Sequence, residues 1–215
     1  NEMNKIVDLS PVRALNKKIE KRMIETIKNA QDQGDTVGGK FMIIVSGAPY
    51  GLGSYTSWNR KLNSKLSESI SSINAIKSIS FGINNSSSLF GSQLHDEIEY
   101  YDNQFQRTNN NSGGIEGGMS NGQNILINAE MKPLSTLTKP LKSIDIQTKE
   151  KKLAHKERTD SCAVPAASIV AESMTGITIL DAILDKFGGD SIKDLKEHYK
   201  TAQFWNKWII ISLLL

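Results

Sequence analysis

The chain has 215 residues, 38% of them hydrophobic and 23% charged, with 26 basic against 23 acidic side chains and a net charge of +3. That is the composition of an ordinary soluble globular protein long enough to bury a substantial core, and its charge is too small and too dispersed for a nucleic-acid binder. A lone cysteine, Cys162, excludes an internal disulfide, and the wide separation of His95, His155 and His198 argues against a structural zinc.

Leu15, Ile19, Met23 and Ile27 recur every four residues between Pro11 and Gly34, which aligns them on one face of a predicted helix that Gly34 stops. Val37 to Val45 is a continuous apolar run that predicts a buried strand. Trp58, Leu62, Leu66 and Ile70 again show helical spacing, and a short strand is expected from Ile76 to Gly82. Asn84 to Ser88 reads as a turn, Asp96 to Tyr101 as a strand, and Arg107 to Ser112 as the approach to a glycine-rich run. Ile125 to Ala129 has strand composition, and Ile144 to Gln147 a weaker version of it.

Pro165 sits where a first helical turn belongs, and a long apolar helix is predicted from there to Phe187, ended by Gly188 and Gly189. A last amphipathic helix fits Ser191 to Tyr199, capped by Asp190 or Ser191. The mixed charges of Lys17 to Arg22 and Lys149 to Lys152 describe solvated faces. No stretch reaches the ~20 apolar residues of a membrane span, and no basic-then-apolar signal opens the chain, so a cytoplasmic protein without a membrane partner is expected. Residues 1–200 read as one α+β domain and 201–215 as an apolar tail of unknown role, taken as a translation artefact in preference to an anchor or a packing strand. The start at Asn1 fits a fragment, a processed product or an incomplete reading.

Gly113 to Gly122 holds five glycines. Side chains withdraw from such a run, and its N–H groups can converge on an anion or a flat heteroaromatic ring, although a flexible surface loop has the same composition. Downstream come Lys132-Pro133-Leu134-Ser135-Thr136 and Glu157-Arg158-Thr159-Asp160-Ser161-Cys162-Ala163-Val164-Pro165. From residue types alone, Asn74 is a turn donor or a ligand contact, and Lys132 before proline is a strand end or a ligand contact. Asp160 is a helix cap, a dipole partner or an acid–base group. The helix dipole lowers the pKa of such a carboxylate and burial raises it. Arg158 offers a guanidinium suited to bidentate phosphate pairing. Cys162 has no histidine beside it in sequence and is not read as a nucleophile.

These segments, together with Gly34-Asp35-Thr36-Val37-Gly38-Gly39, Gly51-Leu52-Gly53-Ser54, Ser72-Ile73-Asn74-Ala75-Ile76-Lys77, Gly91-Ser92-Gln93, His95-Asp96-Glu97 and Arg107-Thr108-Asn109-Asn110, stand in the order found in chorismate synthases, and the chain resembles that family. The resemblance runs from about Met3 to Tyr199 and corresponds to the carboxy-terminal half of the family alone. One departure is the Asn84-Asn85 turn with its serine run, which is a residue shorter than the family's.

The resemblance implies a β-α-β sandwich of antiparallel sheets and covering helices, assembled as a homotetramer. It implies an anti-1,4-elimination of phosphate from 5-enolpyruvylshikimate 3-phosphate to give chorismate, with reduced FMN as cofactor and NADPH involved only indirectly, in flavin reduction. Carried over by position, it assigns cofactor binding to Asn74, Ala75, Gly117, Lys132, Pro133, Leu134, Ser135, Thr136 and Arg158. Asp160 and Arg158 become the catalytic pair, with no metal. The glycine run, the lysine-proline segment and that pair are expected to converge on one flavin. The family's acid–base histidines belong to the other half, so this chain alone is expected to be inactive and to expose surface which that half would cover. The alternative from another class is a non-catalytic nucleotide- or phosphate-binding module, for which a carboxylate beside the ligand has no use. An RNA-binding domain fits less well still, lacking aromatic strand motifs and a basic face.

Overall fold

Why the middle of the chain forms a sheet is clearest at β7 (Ile125–Met131), where every second residue from Ile125 to Met131 is buried, the period of a pleated strand. The computed structural model describes residues 2–101, 104–156 and 160–212. In chain order the elements before β7 are α1 (Glu2–Val7), α2 (Lys17–Asp32), β1 (Gly39–Val45), α3 (Leu62–Ser71), β2 (Ile76–Phe81), α4 (Gly91–Leu94), β3 (Ile98–Tyr101), β4 (Gln104–Arg107), β5 (Ile115–Glu116) and β6 (Met119–Ser120). After it come β8 (Lys142–Ile144), β9 (Lys151–Leu153), α5 (Val164–Phe187) and α6 (Ile192–Ser212). The architecture is mixed α+β. One sheet has the order β1-β7-β2, and β3-β4, β5-β6 and β8-β9 are antiparallel pairs.

The chain forms two compact units. Unit 1 takes Asn1–Phe41, Asn74–Lys77 and Glu130–Val170. Its α2 starts where the Asn16 side chain accepts hydrogen bonds from the Lys18 and Ile19 N–H groups, satisfying donors that the first turn leaves orphaned. The segment after α2 is tied to later chain: Val37 N–H donates to Ser161 O at 2.8 Å, Lys139 N–H to Gly34 O at 3.0 Å, and Thr36 Oγ1 to Leu134 O at 2.6 Å. The β8-β9 hairpin is exposed, and its turn is held by Asp145, which accepts from Gln147 N–H and Lys152 Nζ.

Unit 2 takes Met42–Ile73, Ser78–Ala129 and Ala171–Leu215. Leu62, Leu66 and Ile70 present the buried face of α3 to a core shared with Leu52, Ile125 and Ile127. Buried Ser120 links two loops: its hydroxyl donates to Pro49 O and accepts from Leu52 N–H, while its carbonyl accepts from Gly51 N–H. Lys186 at the end of α5 donates to Gly51 O at 3.1 Å, and partial burial pulls its ammonium below the usual lysine pKa. Ion pairs Lys65–Asp181 and Arg60–Asp185 join α3 and the turn before it to α5.

Four sequence expectations need correction. The apolar run at β1 is not a buried strand: it lies at the edge of its sheet, only Ile43 is buried, and Met42 is exposed. Trp58 is not on the α3 face but in the separate 3-10 turn Trp58–Arg60, exposed to solvent. The last helix does not stop at Tyr199; α6 continues to Ser212, so most of the supposed tail is helical and not a strand. Among the described residues α5 is long and apolar enough to cross a membrane by length and composition, with mean hydropathy 1.5. Glu172, Ser173, Thr175, Thr178 and Asp181 interrupt its middle turns, so its average hydropathy is high without an uninterrupted apolar run.

Candidate functional site

Two of the segments that sequence reasoning singled out, Asn74-Ala75 and Lys132 to Thr136, meet within unit 1. Asn74 and Ala75 form the tight turn before β2, with Ala75 at φ +70°, the left-handed region that a side chain rarely adopts. That turn aims the Ala75 carbonyl at the far end of β7, where it accepts the Lys132 N–H at 2.9 Å. Pro133 cannot continue a ladder, so the strand ends at Met131 and Lys132 to Thr136 leaves as an irregular segment.

The path of that segment is set by a stretch that carried no site assignment, Thr36 to Gly38. Thr36 holds the Leu134 carbonyl, and Gly38 lies so close that a Cβ there would run into the Met131 carbonyl and the backbone of Lys132 and Pro133. No other residue allows the two backbones to approach this closely. Val37, between Thr36 and Gly38, donates to the Ser161 carbonyl, which brings the chain beside Asp160 into the same group. The signal available in the sequence was the glycine pair Gly38-Gly39 placed directly before an apolar run.

Lys132, Pro133, Ser135, Thr136, Asn74 and Asp160 are exposed, and Leu134 and Ala75 are half-buried. The Lys132 ammonium lies 3.5 Å from the Ser135 hydroxyl. An ammonium and two hydroxyls on one exposed segment, with the Asn74 amide on the turn bonded to it, form a donor set suited to a phosphate-bearing ligand. Helix α5 begins at Val164, four residues after Asp160. Arg158 lies outside the described residues.

Gly117 belongs to unit 2, in the β5-β6 turn, with φ +60° and open space where a Cβ would stand. The glycine run is anchored at its start by Asp96. This buried carboxylate accepts the Asn111 N–H at 2.8 Å and the Ser112 N–H at 3.1 Å. Burial pushes its pKa up, but those two N–H groups, the Ser112 hydroxyl and the Arg107 guanidinium outweigh burial and hold it below the ordinary aspartate value. Gly113 then passes against Gly82 so closely that a side chain on either would strike the other's backbone, and Arg107 pairs with Glu116.

Unit 1 also holds an open cavity of about 470 Å3 between the apolar face of α2 and residues 37–40, with Cys162 and Val164 in its wall. Its lining includes none of Asn74, Ala75, Lys132 to Thr136 or Asp160. No cluster of metal-ligating side chains occurs among the described residues.

The sequence profile of the family described as Chorismate synthase matches residues 1–184. The chain is 49% identical over 194 residues to the chorismate synthase of Alkaliphilus metalliredigens (strain QYMF), covering 89% of this chain and 51% of that protein. It is 48% identical over 191 residues to that of Geobacter sulfurreducens, covering 84% and 48%. A crystal structure of chorismate synthase superimposes with a TM-score of 0.80 at 30% identity, over 95% of this chain and 54% of the other. The chain spans about half the length of the curated relatives it matches.

Proposed function

The chain belongs to the chorismate synthase family, and from that premise we propose that it supplies the cofactor-facing, carboxy-terminal part of an enzyme that converts 5-enolpyruvylshikimate 3-phosphate to chorismate. In this reading the allylic C–O bond to phosphate breaks, a ring hydrogen leaves from the opposite face, and a second ring double bond forms as inorganic phosphate departs. Reduced FMN, when bound, lends electron density to the departing phosphate and recovers it; NADPH enters only as a source of that reduction. The reading keeps residues 1–200 as a single family domain, in a cytoplasmic homotetramer.

The observation that carries the reading is the joining of the Asn74-Ala75 turn to the Lys132–Thr136 segment through the Ala75 carbonyl and the Lys132 N–H. Two stretches far apart in sequence, both assigned to one cofactor, are thereby neighbours, and their donor set suits its phosphate. Lys132, Ser135 and Thr136 bind that anionic end, and Asn74 and Ala75 orient the ring system. Gly117 offers backbone without a side chain, so that a flat group can approach closely. Pro133 and Leu134 fix the course of the segment. Arg158 pairs with phosphate oxygens in a fork that lysine cannot reproduce, and Asp160 manages the proton at flavin N5. A developing anionic leaving group in a water-excluded site draws most of its stabilisation from such preplaced cations.

The test joins this chain to the portion of the Alkaliphilus metalliredigens enzyme that it does not match, and follows chorismate formation with reduced FMN. Asp160→Ala is expected to lower turnover by roughly 10²–10⁴-fold, the usual worth of a positioned acid–base group. Arg158→Ala is expected to lower turnover and raise the substrate KM, and Lys132→Ala to weaken FMN binding. Near-wild-type rates in the Asp160 and Arg158 variants defeat the site assignment. FMN and phosphate binding without turnover in the joined wild-type protein favours the passive phosphate-binding module.

A further inference from the structure

The cavity of about 470 Å3 in unit 1 has the size of a small-molecule pocket, and its wall divides into an aliphatic part and a cationic part. Ile19, Met23 and Ile27 stand one turn apart on α2, and Val37 and Val164 complete the aliphatic wall. Gly38 and Gly39 add backbone without side chains, which keeps the space open; a Cβ on Gly39 would press on Val164 at 3.3 Å. Among the described residues no aromatic ring and no carboxylate lines the cavity, and its two charged members, Arg22 and Lys40, are both cations. Lys40 is paired with Glu130. Arg22 is exposed, and its guanidinium has no ion pair or hydrogen bond among the described residues; the Thr26 hydroxyl donates to the Arg22 carbonyl at 2.8 Å.

We propose that this cavity binds an alkyl carboxylate, its hydrocarbon chain against Ile19, Met23 and Ile27 and its head group on Arg22. Each end of the ligand answers one part of the wall. Covering the three α2 side chains takes apolar surface out of water, and Met23, unbranched and flexible, adapts to a chain that has no fixed shape. A wall without aromatic rings offers an aromatic ligand no stacking partner. A carboxylate accepts two parallel N–H groups from a guanidinium, and Arg22 has both to give. The inference rests on the cavity and on Arg22. None of Asn74, Ala75, Gly117, Lys132 to Thr136 or Asp160 lines it, so it and the cofactor reading can fail separately.

Half-buried Cys162 stands in the cavity wall and is the one cysteine of the chain, so its alkylation by iodoacetamide reports occupancy. The experiment titrates the 215-residue chain with decanoate by calorimetry and follows that alkylation in parallel. One decanoate per chain is expected, with alkylation slowed at least ~10-fold at saturation, and decyltrimethylammonium, the same chain on a cation, should do neither. Arg22→Gln is expected to weaken decanoate at least ~10-fold, and Ile19→Glu, which sets a carboxylate in the wall, to abolish binding. Both positions are exposed, so the variants should keep the parent's circular dichroism. Equal binding of decanoate and decyltrimethylammonium, no protection of Cys162, or binding insensitive to both substitutions overturns the proposal. The same assay is run on the joined protein described above. Cys162 shielded there without decanoate means that the added portion fills the cavity, and shielding that grows with concentration of the chain alone means that a second copy does; either result also overturns it.

Discussion

Asp96 shows how one side chain fixes a segment whose own residues cannot fix themselves. The run that follows Ser112 has too few side chains to hold its course, so its entry must be set from outside, and the Asp96 carboxylate does so by accepting two consecutive N–H groups. An asparagine of the same shape has one acceptor oxygen and brings an NH2 against the second N–H. Asp96→Asn is therefore expected to cost about 1–3 kcal/mol, the range for losing a charge-assisted bond inside a protein. The folded-state pKa of Asp96 lies below its ordinary value, so its contribution is present above the unfolded-state pKa and is lost as pH falls through the lower, folded value. Urea unfolding should show a gap between parent and Asp96→Asn that is full at pH 7 and closes in strong acid. A gap that persists unchanged in acid would show that the ionised carboxylate is not what holds the run.

At the scale of elements, α5 carries a buried defect as well as an outward row of Ile177, Leu180 and Leu184. The Thr175 hydroxyl, 1% exposed in the middle of the helix, has no hydrogen-bond partner among the described residues. Leaving a hydroxyl dry and unpaired is unfavourable, whereas a methyl of the same shape loses nothing there. Thr175→Val should leave the midpoint of urea unfolding unchanged or raise stability by up to ~1 kcal/mol; a loss of that size would mean that the hydroxyl is satisfied. The existence of α5 was legible in the sequence, from Pro165 in its first turn and Gly188-Gly189 at its end, because those signals are local. Which face it buries was not, since both faces are apolar. The strands divide in the same way. Ile125 to Ala129 alternates and is the central strand, while the more uniformly apolar run of β1 lies at the edge. Position within a sheet depends on partners that no short window contains. At the candidate site, Lys132 to Thr136 and Asn74-Ala75 were found through resemblance. Their brace of Thr36 and Gly38 was missed, because a residue chosen for closeness to distant backbone leaves no chemical signature of its own.

For the whole molecule, the arrangement with most consequence is that each unit is assembled from three separate stretches. Contacts between distant stretches incur loop-closure entropy before they stabilise anything, so removal of one stretch should be felt by the others of the same unit first. In unit 1 the stretch before residue 39 supplies the acceptor for Lys139 N–H, the Thr36 hydroxyl on Leu134 and the Val37 bond to Ser161. A chain beginning at Gly39 keeps β1 intact and retains every stretch of unit 2. Hydrogen exchange read by mass spectrometry should then show the Lys132 amide exchanging at least ~10-fold faster, even though its own acceptor, the Ala75 carbonyl, is still present. Leu52, Leu62 and Ile127, in the core of unit 2, should keep their protection. Lys132 protected as before would mean that the β7 end and the Ala75 turn hold each other without the 36–38 brace. Loss of protection through the core of unit 2 would mean that the two units do not unfold separately, and that the brace matters to the chain as a whole.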